Sequence, residues 1–145
     1  LYSTHDGVAV CRTLAITRFS QPVSPALENA DKQIRAGHSI GNTLQQAGLL
    51  MSREVIMEAT TPCGQQFSAL CAQTVLVDSP VYLRVYRLHA GIEPESLNPY
   101  AIIAEAHHPA HTAVHAGLRA LNDLDASEWE SDTKWSVDAL QKALA

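Results

Sequence analysis

Residues 81–89 read VYLRVYRLH, and this alternating segment restricts the folds open to the chain more than any other feature. Aliphatic residues occupy its odd-numbered positions up to 85, while Tyr82, Arg84 and Tyr86 occupy the even ones. Successive side chains of a strand point to opposite faces. The segment therefore predicts a strand that buries one face in a core and carries polar chemistry on the other.

Three further segments, residues 7–19, 52–60 and 100–106, have the alternation or the apolar content of strands. Between and after them lie helix signals, such as the serine and proline of Ser24-Pro25, which read as an N-cap followed by a first helical residue. The predicted helices cover residues 25–35, 39–48 and 65–71, and two amphipathic helices follow residue 109.

The predicted strands outnumber crossover helices, and the sequence contains no glycine-rich phosphate loop. These features favour an α+β fold in which an antiparallel sheet has its helices packed on one face, over a doubly wound fold. We predict a ligand-binding domain over residues 1–109. Residues 110–145, with two C-terminal amphipathic helices, are predicted to be an extension packed on it.

The formal charge of −5 comes from ten Lys and Arg residues set among fifteen Asp and Glu residues. A nucleic-acid surface needs a dense basic patch, so any contact with DNA is expected only through a module outside this chain. The sequence begins at Leu1 without methionine, which suggests that an upstream piece is missing.

The three cysteines, Cys11, Cys63 and Cys71, have no zinc-type spacing and cannot all pair. Free thiols in a reducing compartment are expected, and the cytoplasm is the predicted location. No apolar run is long enough to span a bilayer, so no membrane partner is expected. We also expect none of these thiols to act as a nucleophile, since none has a base at a recognisable spacing.

Arg12 falls on the apolar side of the strand predicted over residues 7–19. A guanidinium there must be paired, because an unpaired buried charge is costly, and its fork matches a carboxylate or phosphate. Two interpretations remain open for Arg12: it binds a ligand, or it forms a salt bridge with Glu54 or Glu58.

Ser39 opens a predicted helix, so its hydroxyl and the free amides from Ile40 onward offer an anion cradle, although an ordinary N-cap has the same sequence. Arg84, flanked by Tyr82 and Tyr86, suits a small polar ligand but is also typical of an exposed sheet face. Glu105 is either an acid with a raised pKa or the partner of Arg12 or Arg84.

Four histidines lie in the segment HHPAHTAVH, namely His107, His108, His111 and His115. His111 and His115 have the i, i+4 spacing that metal ligands can have on a helix. No acidic residue occupies the intervening position found in H-E-x-x-H, and spacing alone is a weak signal. We therefore predict neither a metal site nor a cofactor.

The order of DGVAVCRTLAITRF, GHSIGNTLQQAG, SREVIMEA, SPVYLRVYRL and a closing strand resembles the chorismate lyase-like superfold. Within that superfold, the sequence looks most like the effector-binding (UTRA) domain of the HutC branch of GntR-type repressors. The resemblance covers about residues 5–109. It implies an anionic ligand, often a sugar phosphate or a carboxylate, held by arginines, a serine at a helix start, and residues of the last strands.

By this resemblance, Ser39 corresponds to the serine at the helix start, and Arg12 corresponds to a residue that lines the pocket. Arg84 or Tyr86 would be the contribution of the later strand. Glu105 is similar in placement to the catalytic glutamate of chorismate lyases, and Ile40 to the leucine after their helix start. This chain departs from the pattern in three respects. The arginine expected before the DG turn is either upstream of Leu1 or absent, there is no winged helix, and the family does not usually carry the helical extension that begins at Ala110.

The resemblance implies that the chain is the small-anion-binding domain of a transcriptional regulator, with control through two arrangements of a homodimer. The alternative is a cofactor-independent lyase that removes pyruvate from chorismate, in which Glu105 donates a proton and Arg12 binds a carboxylate. A third interpretation is a protein-interaction domain with a degenerate pocket.

Overall fold

A computed structural model describes residues 1–110 and 117–145 of the chain. Antiparallel strands and several helices build an α+β fold, as the sequence predicts. The strands are β1 (Tyr2–His5), β2 (Val8–Cys11), β3 (Thr13–Phe19), β4 (Leu50–Pro62), β5 (Pro80–Gly91) and β6 (Asn98–His107). The α-helices are α1 (Glu28–Arg35), α2 (Ile40–Gln46), α3 (Gln65–Leu70) and α4 (Ser131–Leu144).

Strands β3 to β6 form one antiparallel sheet in the order β3-β6-β5-β4. The central pair, β5 and β6, aligns Arg84 with Glu105, so the two charged residues are neighbours on the same sheet face. Strands β1 and β2 form a separate hairpin. The hairpin turns at Asp6 and Gly7, and both have the positive φ that two-residue hairpin turns require.

One face of the sheet, which we call the α4 face, carries the aliphatic side chains of the alternating β5 segment. Helices α3 and α4 cover this face with Phe67, Val137 and Leu140, all of which are buried. The sheet residues that they contact include Val81, Leu83, Val85, Ile102, Ala104 and Ala106. The predicted apolar face of residues 81–85 is therefore confirmed as core.

The opposite face, the α2 face, has its own core beneath α1 and α2. Ile34 of α1 and Leu44 of α2 pack there against sheet residues such as Leu88 and Ile103. The prediction that helices pack on one face of the sheet is therefore wrong. Since β5 and β6 are buried on both sides, each face requires its own helical cover.

The predicted strand over residues 7–19 is two strands, β2 and β3, that meet at a bend at Arg12. The Arg12 carbonyl accepts a hydrogen bond from the His108 amide, and the Arg12 amide donates to the carbonyl of Leu1. The side-chain Nε of Arg12 is buried and has no hydrogen-bond partner among the described residues.

The C-terminal part contains one of the two predicted amphipathic helices, α4, which packs on β3, β5 and β6. The other predicted helix lies partly at residues 111–116, outside the described residues. From residue 117 to 130 the chain forms only short 3₁₀ turns, so no amphipathic helix covers that part. Among the described helices, none combines the length and the apolar character needed to cross a bilayer.

Candidate functional site

A pocket of about 600 Å³ opens on the α2 face, between the sheet and the segment 37–41 that leads into α2. Every strand of the main sheet contributes to its walls, and Leu1 closes one side. The lining residues of the sheet are Ala15 and Thr17 of β3, Met51 and Arg53 of β4, Tyr86 and Leu88 of β5, and Ile103 and Glu105 of β6.

Glu105 is the centre of a hydrogen-bond network at one end of this pocket. Its Oε2 accepts from Arg84 Nη2 at 2.7 Å and lies 3.0 Å from His107 Nε2, while its Oε1 accepts from Tyr86 Oη at 2.8 Å. The two carboxylate oxygens are thus engaged by three different side chains. The expected partnership of Glu105 and Arg84 is confirmed as an ion pair.

These partners decide the charge of Glu105. Burial raises the pKa of its carboxyl group, but hydrogen bonds from His107, Arg84 and Tyr86 outweigh burial and lower the pKa to about 2. Glu105 is therefore an ionised acceptor near neutral pH. Of the two interpretations that the sequence left open for Glu105, the partner of Arg84 is therefore correct and the acid with a raised pKa is wrong, because three donors converge on this group.

Tyr86 is held between two guanidinium groups. Arg84 lies 4.9 Å and Arg53 lies 5.8 Å from the centre of the Tyr86 ring, distances at which a cation is attracted to the ring face. Burial and the neighbouring Glu105 raise the pKa of Tyr86 to about 12, so its hydroxyl stays a hydrogen-bond donor. Tyr86 and Arg53 line the pocket, and Arg84 lies beside the Tyr86 ring without lining it.

Arg53 differs from Arg84 in the way its charge is used. Arg84 is paired with Glu105, whereas no carboxylate of the described residues lies within ion-pair distance of Arg53. Arg53 is also exposed. Its guanidinium is therefore a cation that faces the pocket and is open to a ligand.

Ser39 lies across the pocket at the start of α2. Ser39 has the extended backbone of an N-cap residue, with φ −61° and ψ 130°, yet within the described chain its hydroxyl makes no capping hydrogen bond. The ordinary N-cap interpretation is therefore wrong for the side chain. The Ser39 hydroxyl is exposed and remains free to contact a bound molecule.

The structure brings together four of the six predicted ligand residues, since Ser39, Ile40, Tyr86 and Glu105 all line the pocket. Arg84 does not line the pocket but is ion-paired with Glu105, which does.

Arg12 does not line this pocket, because the bend between β2 and β3 removes it from the face that the alternation predicts. It also forms no ion pair with Glu54 or Glu58 in the described chain; Glu58 instead accepts a hydrogen bond from Tyr82.

The sequence analysis missed Arg53 and His38, which both line the pocket. A bulge between Val55 and Met57 explains the first omission, because it moves odd-numbered β4 residues from the α2 face to the α4 face. An uninterrupted alternation along β4 would therefore place the side chains of one half of the strand on the wrong face of the sheet. His38 directly follows Gly37, which has a φ of +106°. The glycine is visible in the sequence and could have indicated a turn at this point.

Of the four clustered histidines, the two that the structure describes have structural partners. His107 Nδ1 lies 3.2 Å from Thr13 Oγ1, and its Nε2 faces Glu105. His108 is buried, accepts a hydrogen bond from the Ala110 amide and contacts Thr74. His111 and His115 lie outside the described residues. In the part of the chain that is described, no group of three potential ligands is arranged to hold a metal ion.

The three cysteines are free thiols, as predicted, and all are buried. Burial raises the pKa of each of them, and for Cys71 the value reaches about 12. A thiol of this kind is a poor nucleophile, because the thiolate is the reactive form.

Comparison with known proteins adds no relative to this picture. No protein-family model matches the sequence, and neither the curated proteins nor the solved structures gave a match.

Proposed function

We propose that this chain is a ligand-sensing domain that binds a small phosphate- or carboxylate-bearing metabolite in the pocket between the sheet and α2. The observation that carries the proposal is Arg53, a pocket-lining guanidinium without a carboxylate partner among the described residues. An unpaired arginine that faces a concave site is suited to bind an anionic group with its planar fork.

Ser39 supports the same conclusion from the other side of the pocket. Its hydroxyl is exposed and is not used to cap α2 in the described chain. Together, Arg53 and Ser39 supply a charge and a neutral donor that can contact one anion from two directions. The few polar groups and the apolar floor are typical of small-molecule sites.

The wider assignment is to the effector-binding domain of a transcriptional regulator of the chorismate lyase-like superfold. The resemblance of the sequence and a helix-start serine that faces the later strands support it. In this proposal the DNA-binding module lies outside this chain, and the protein acts in the cytoplasm, where its three free thiols would stay reduced.

The lyase alternative receives less support from the site. A general acid needs a pKa near the working pH, whereas three hydrogen-bond donors hold the pKa of Glu105 at about 2. Glu105 is better suited to position Tyr86 and Arg84 than to deliver a proton.

Thermal-shift measurements on the whole chain test the proposal. The panel contains ribose 5-phosphate, inorganic phosphate and aliphatic carboxylates, each at a saturating concentration. A ligand at 100 times its Kd stabilises the protein by about 2.7 kcal/mol, so we expect at least one anion to raise Tm by several degrees. Arg53→Gln should lose this shift.

Arg119→Gln is the matched control, because it removes the same charge from an exposed position outside the pocket. It should retain the full shift. If no anion raises Tm, or if both variants behave alike, the proposed function is wrong. Release of pyruvate from chorismate, abolished by Glu105→Gln, would support the lyase instead.

A further inference from the structure

The strand order β3-β6-β5-β4 places β3 at one edge of the main sheet. We infer that a second copy of this chain pairs with this edge, so that two β3 strands run antiparallel and the two sheets become one. The inference does not depend on the proposed function, because no ligand takes part in the contact. The backbone pattern of β3, the difference between the two sheet edges and an exposed tryptophan beside β3 carry it.

The direction of the β3 backbone groups follows from the pairing of β3 with β6. The Arg12 carbonyl accepts from the His108 amide before β3, and the Ser20 amide donates to the Tyr100 carbonyl after it. The register between these two bonds is continuous. Residues of an antiparallel pair alternate between bonding the neighbouring strand and pointing their N–H and C=O groups away from it. The even-numbered residues of β3 therefore bond to β6, and the odd-numbered ones face the open edge.

Leu1 shows that this edge accepts another strand. Its amino group donates to the Thr13 carbonyl at 2.9 Å, and its carbonyl accepts from the Thr13 amide at 3.3 Å, which is the exchange of bonds found in antiparallel pairs. Within the described chain, Ala15, Thr17 and Phe19 have no strand on their outer side. These odd-numbered residues remain available to a partner strand.

The other edge of the sheet, β4, is protected against such pairing. It has a bulge between Val55 and Met57 and ends in Pro62. A bridge from Thr60 to Ala120 also covers part of its outer side. Bulges, prolines and covering segments are features with which proteins block sheet edges. Strand β3 contains neither proline nor lysine, and its register with β6 has no bulge, so its edge is open and regular.

A second copy fits this edge because a twofold axis beside Thr17 pairs β3 with itself in the antiparallel sense. Thr17 then faces its counterpart, and Ala15 of each copy faces Phe19 of the other. These pairs exchange about six backbone hydrogen bonds. Because Ala15 and Thr17 also line the anion pocket, the partner strand borders the pocket on this side.

Trp135 of α4 provides the apolar part of the contact. It is 45% exposed, and its ring centre lies 5.1 Å from the guanidinium carbon of Arg18 on β3. Tryptophan is enriched at protein interfaces and among the residues that contribute most to binding. The twofold axis places α4 of both copies on the same face of the joined sheet. Burial of Trp135 beside the partner's helix adds to the backbone pairing.

Sedimentation equilibrium of the whole chain, from micromolar to millimolar concentration, tests the inference. We expect a reversible equilibrium between monomer and dimer. Thr17→Pro should raise the Kd of the dimer about thirtyfold, because it removes two of the hydrogen bonds between the copies. The monomer should keep its fold, since the Thr17 amide faces away from β6 and proline is tolerated at such edge positions. Thr17→Val keeps the amide and is the matched control, with an unchanged Kd.

A second pair of variants tests the helix contact. Trp135→Gln should raise the Kd of the dimer about tenfold through the loss of buried apolar area. Leu76→Gln is its matched control, because Leu76 is 73% exposed in the loop between α3 and β5. It should leave the Kd unchanged.

Amide hydrogen exchange locates the interface on the strand. The even-numbered amides of β3 should be protected at every concentration, whereas those of Ala15, Thr17 and Phe19 should become protected only where the dimer is populated. A chain that stays monomeric at millimolar concentration, or a dimer that Thr17→Pro leaves unchanged, would overturn the inference. Protection of the odd-numbered amides in a monomer would show that another strand occupies the edge and would exclude the second copy.

Discussion

Glu105 shows how one residue can set the electrostatics of a whole site. Its side chain is 13% exposed, and it accepts hydrogen bonds from Arg84, Tyr86 and a ring nitrogen of His107. An ionised group this deeply buried is stable only when it is paired and hydrogen-bonded. Glu105 thereby holds the Tyr86 hydroxyl and neutralises Arg84, whereas Arg53 has no carboxylate partner among the described residues.

Replacement of this carboxylate should destabilise the protein in a pH-dependent way. The folded state holds the Glu105 pKa at about 2, below its ordinary value of 4.5, so its stabilising effect is present above about pH 5 and is lost as the pH falls towards 2. We expect Glu105→Gln to lower the free energy of unfolding by about 3 kcal/mol at pH 7. The difference from the unmodified chain should shrink towards pH 2.

Urea unfolding at a series of pH values measures this effect. Glu128→Gln makes the same change at an exposed position and should alter stability by no more than about 0.5 kcal/mol. A Glu105→Gln penalty that is the same at pH 7 and pH 2.5 would contradict the assignment of a lowered pKa.

The positions of some residues of the site could be predicted from the sequence, and those of others could not. Ser39 and Tyr86 could be predicted because a helix start and an uninterrupted strand alternation locate them directly. Arg12 and Arg53 could not, because a bend and a bulge, respectively, change the face on which each side chain lies. These irregularities arise from tertiary pairing and leave no clear local pattern.

At the scale of elements, the start of α3 and the end of α4 approach each other closely at Gly64. A Cβ atom on Gly64 would clash with the backbone carbonyl of Leu144. The carbonyl of Ala145 also accepts a hydrogen bond from the Gln66 amide. The absence of a side chain at Gly64 thus allows α4 to dock against α3 and complete the core of the α4 face.

Gly64→Ala should therefore weaken this docking. Two backbone segments must separate to admit the methyl group, and overpacking of this kind costs about 1–3 kcal/mol. Thermal unfolding should show a Tm lower by several degrees.

Gly41→Ala is the matched control, since Gly41 lies in α2 with no atom within 4 Å of the added Cβ. It should stabilise the protein by about 0.5–1 kcal/mol, because alanine has the higher helix propensity. Equal effects of the two substitutions on Tm would argue against close docking of α4 on Gly64.

The element pattern also explains which parts of the fold the sequence could predict. Helices α1 to α3 and strands β4 to β6 agree with their sequence signals to within a few residues. The helical cover on both faces was not predicted. Strand β6 is apolar at nearly every position, so its sequence does not distinguish one face from the other. Such a run indicates burial on both faces only if the chain has enough helices to cover both.

At the scale of the whole molecule, the helices cover the two faces of the sheet to different extents. The α4 face is closed by α3 and α4 around a continuous core, whereas the α2 face is only partly covered by α1 and α2 and retains the pocket. A rigid closed face behind an open one is a suitable frame for a binding site. The segment 37–41 forms the pocket wall opposite the sheet.

We propose that an anion binds between α2 and the sheet, next to Arg53. The most direct test is a titration of ¹⁵N-labelled protein with hexanoate and, separately, with ribose 5-phosphate, followed by two-dimensional NMR. We predict that at least one of them shifts the amide signals of residues 37–41, Arg53, Leu88 and Glu105, while signals around Gly64 stay unchanged. Shifts centred elsewhere, or no shifts with either anion, would contradict the claim.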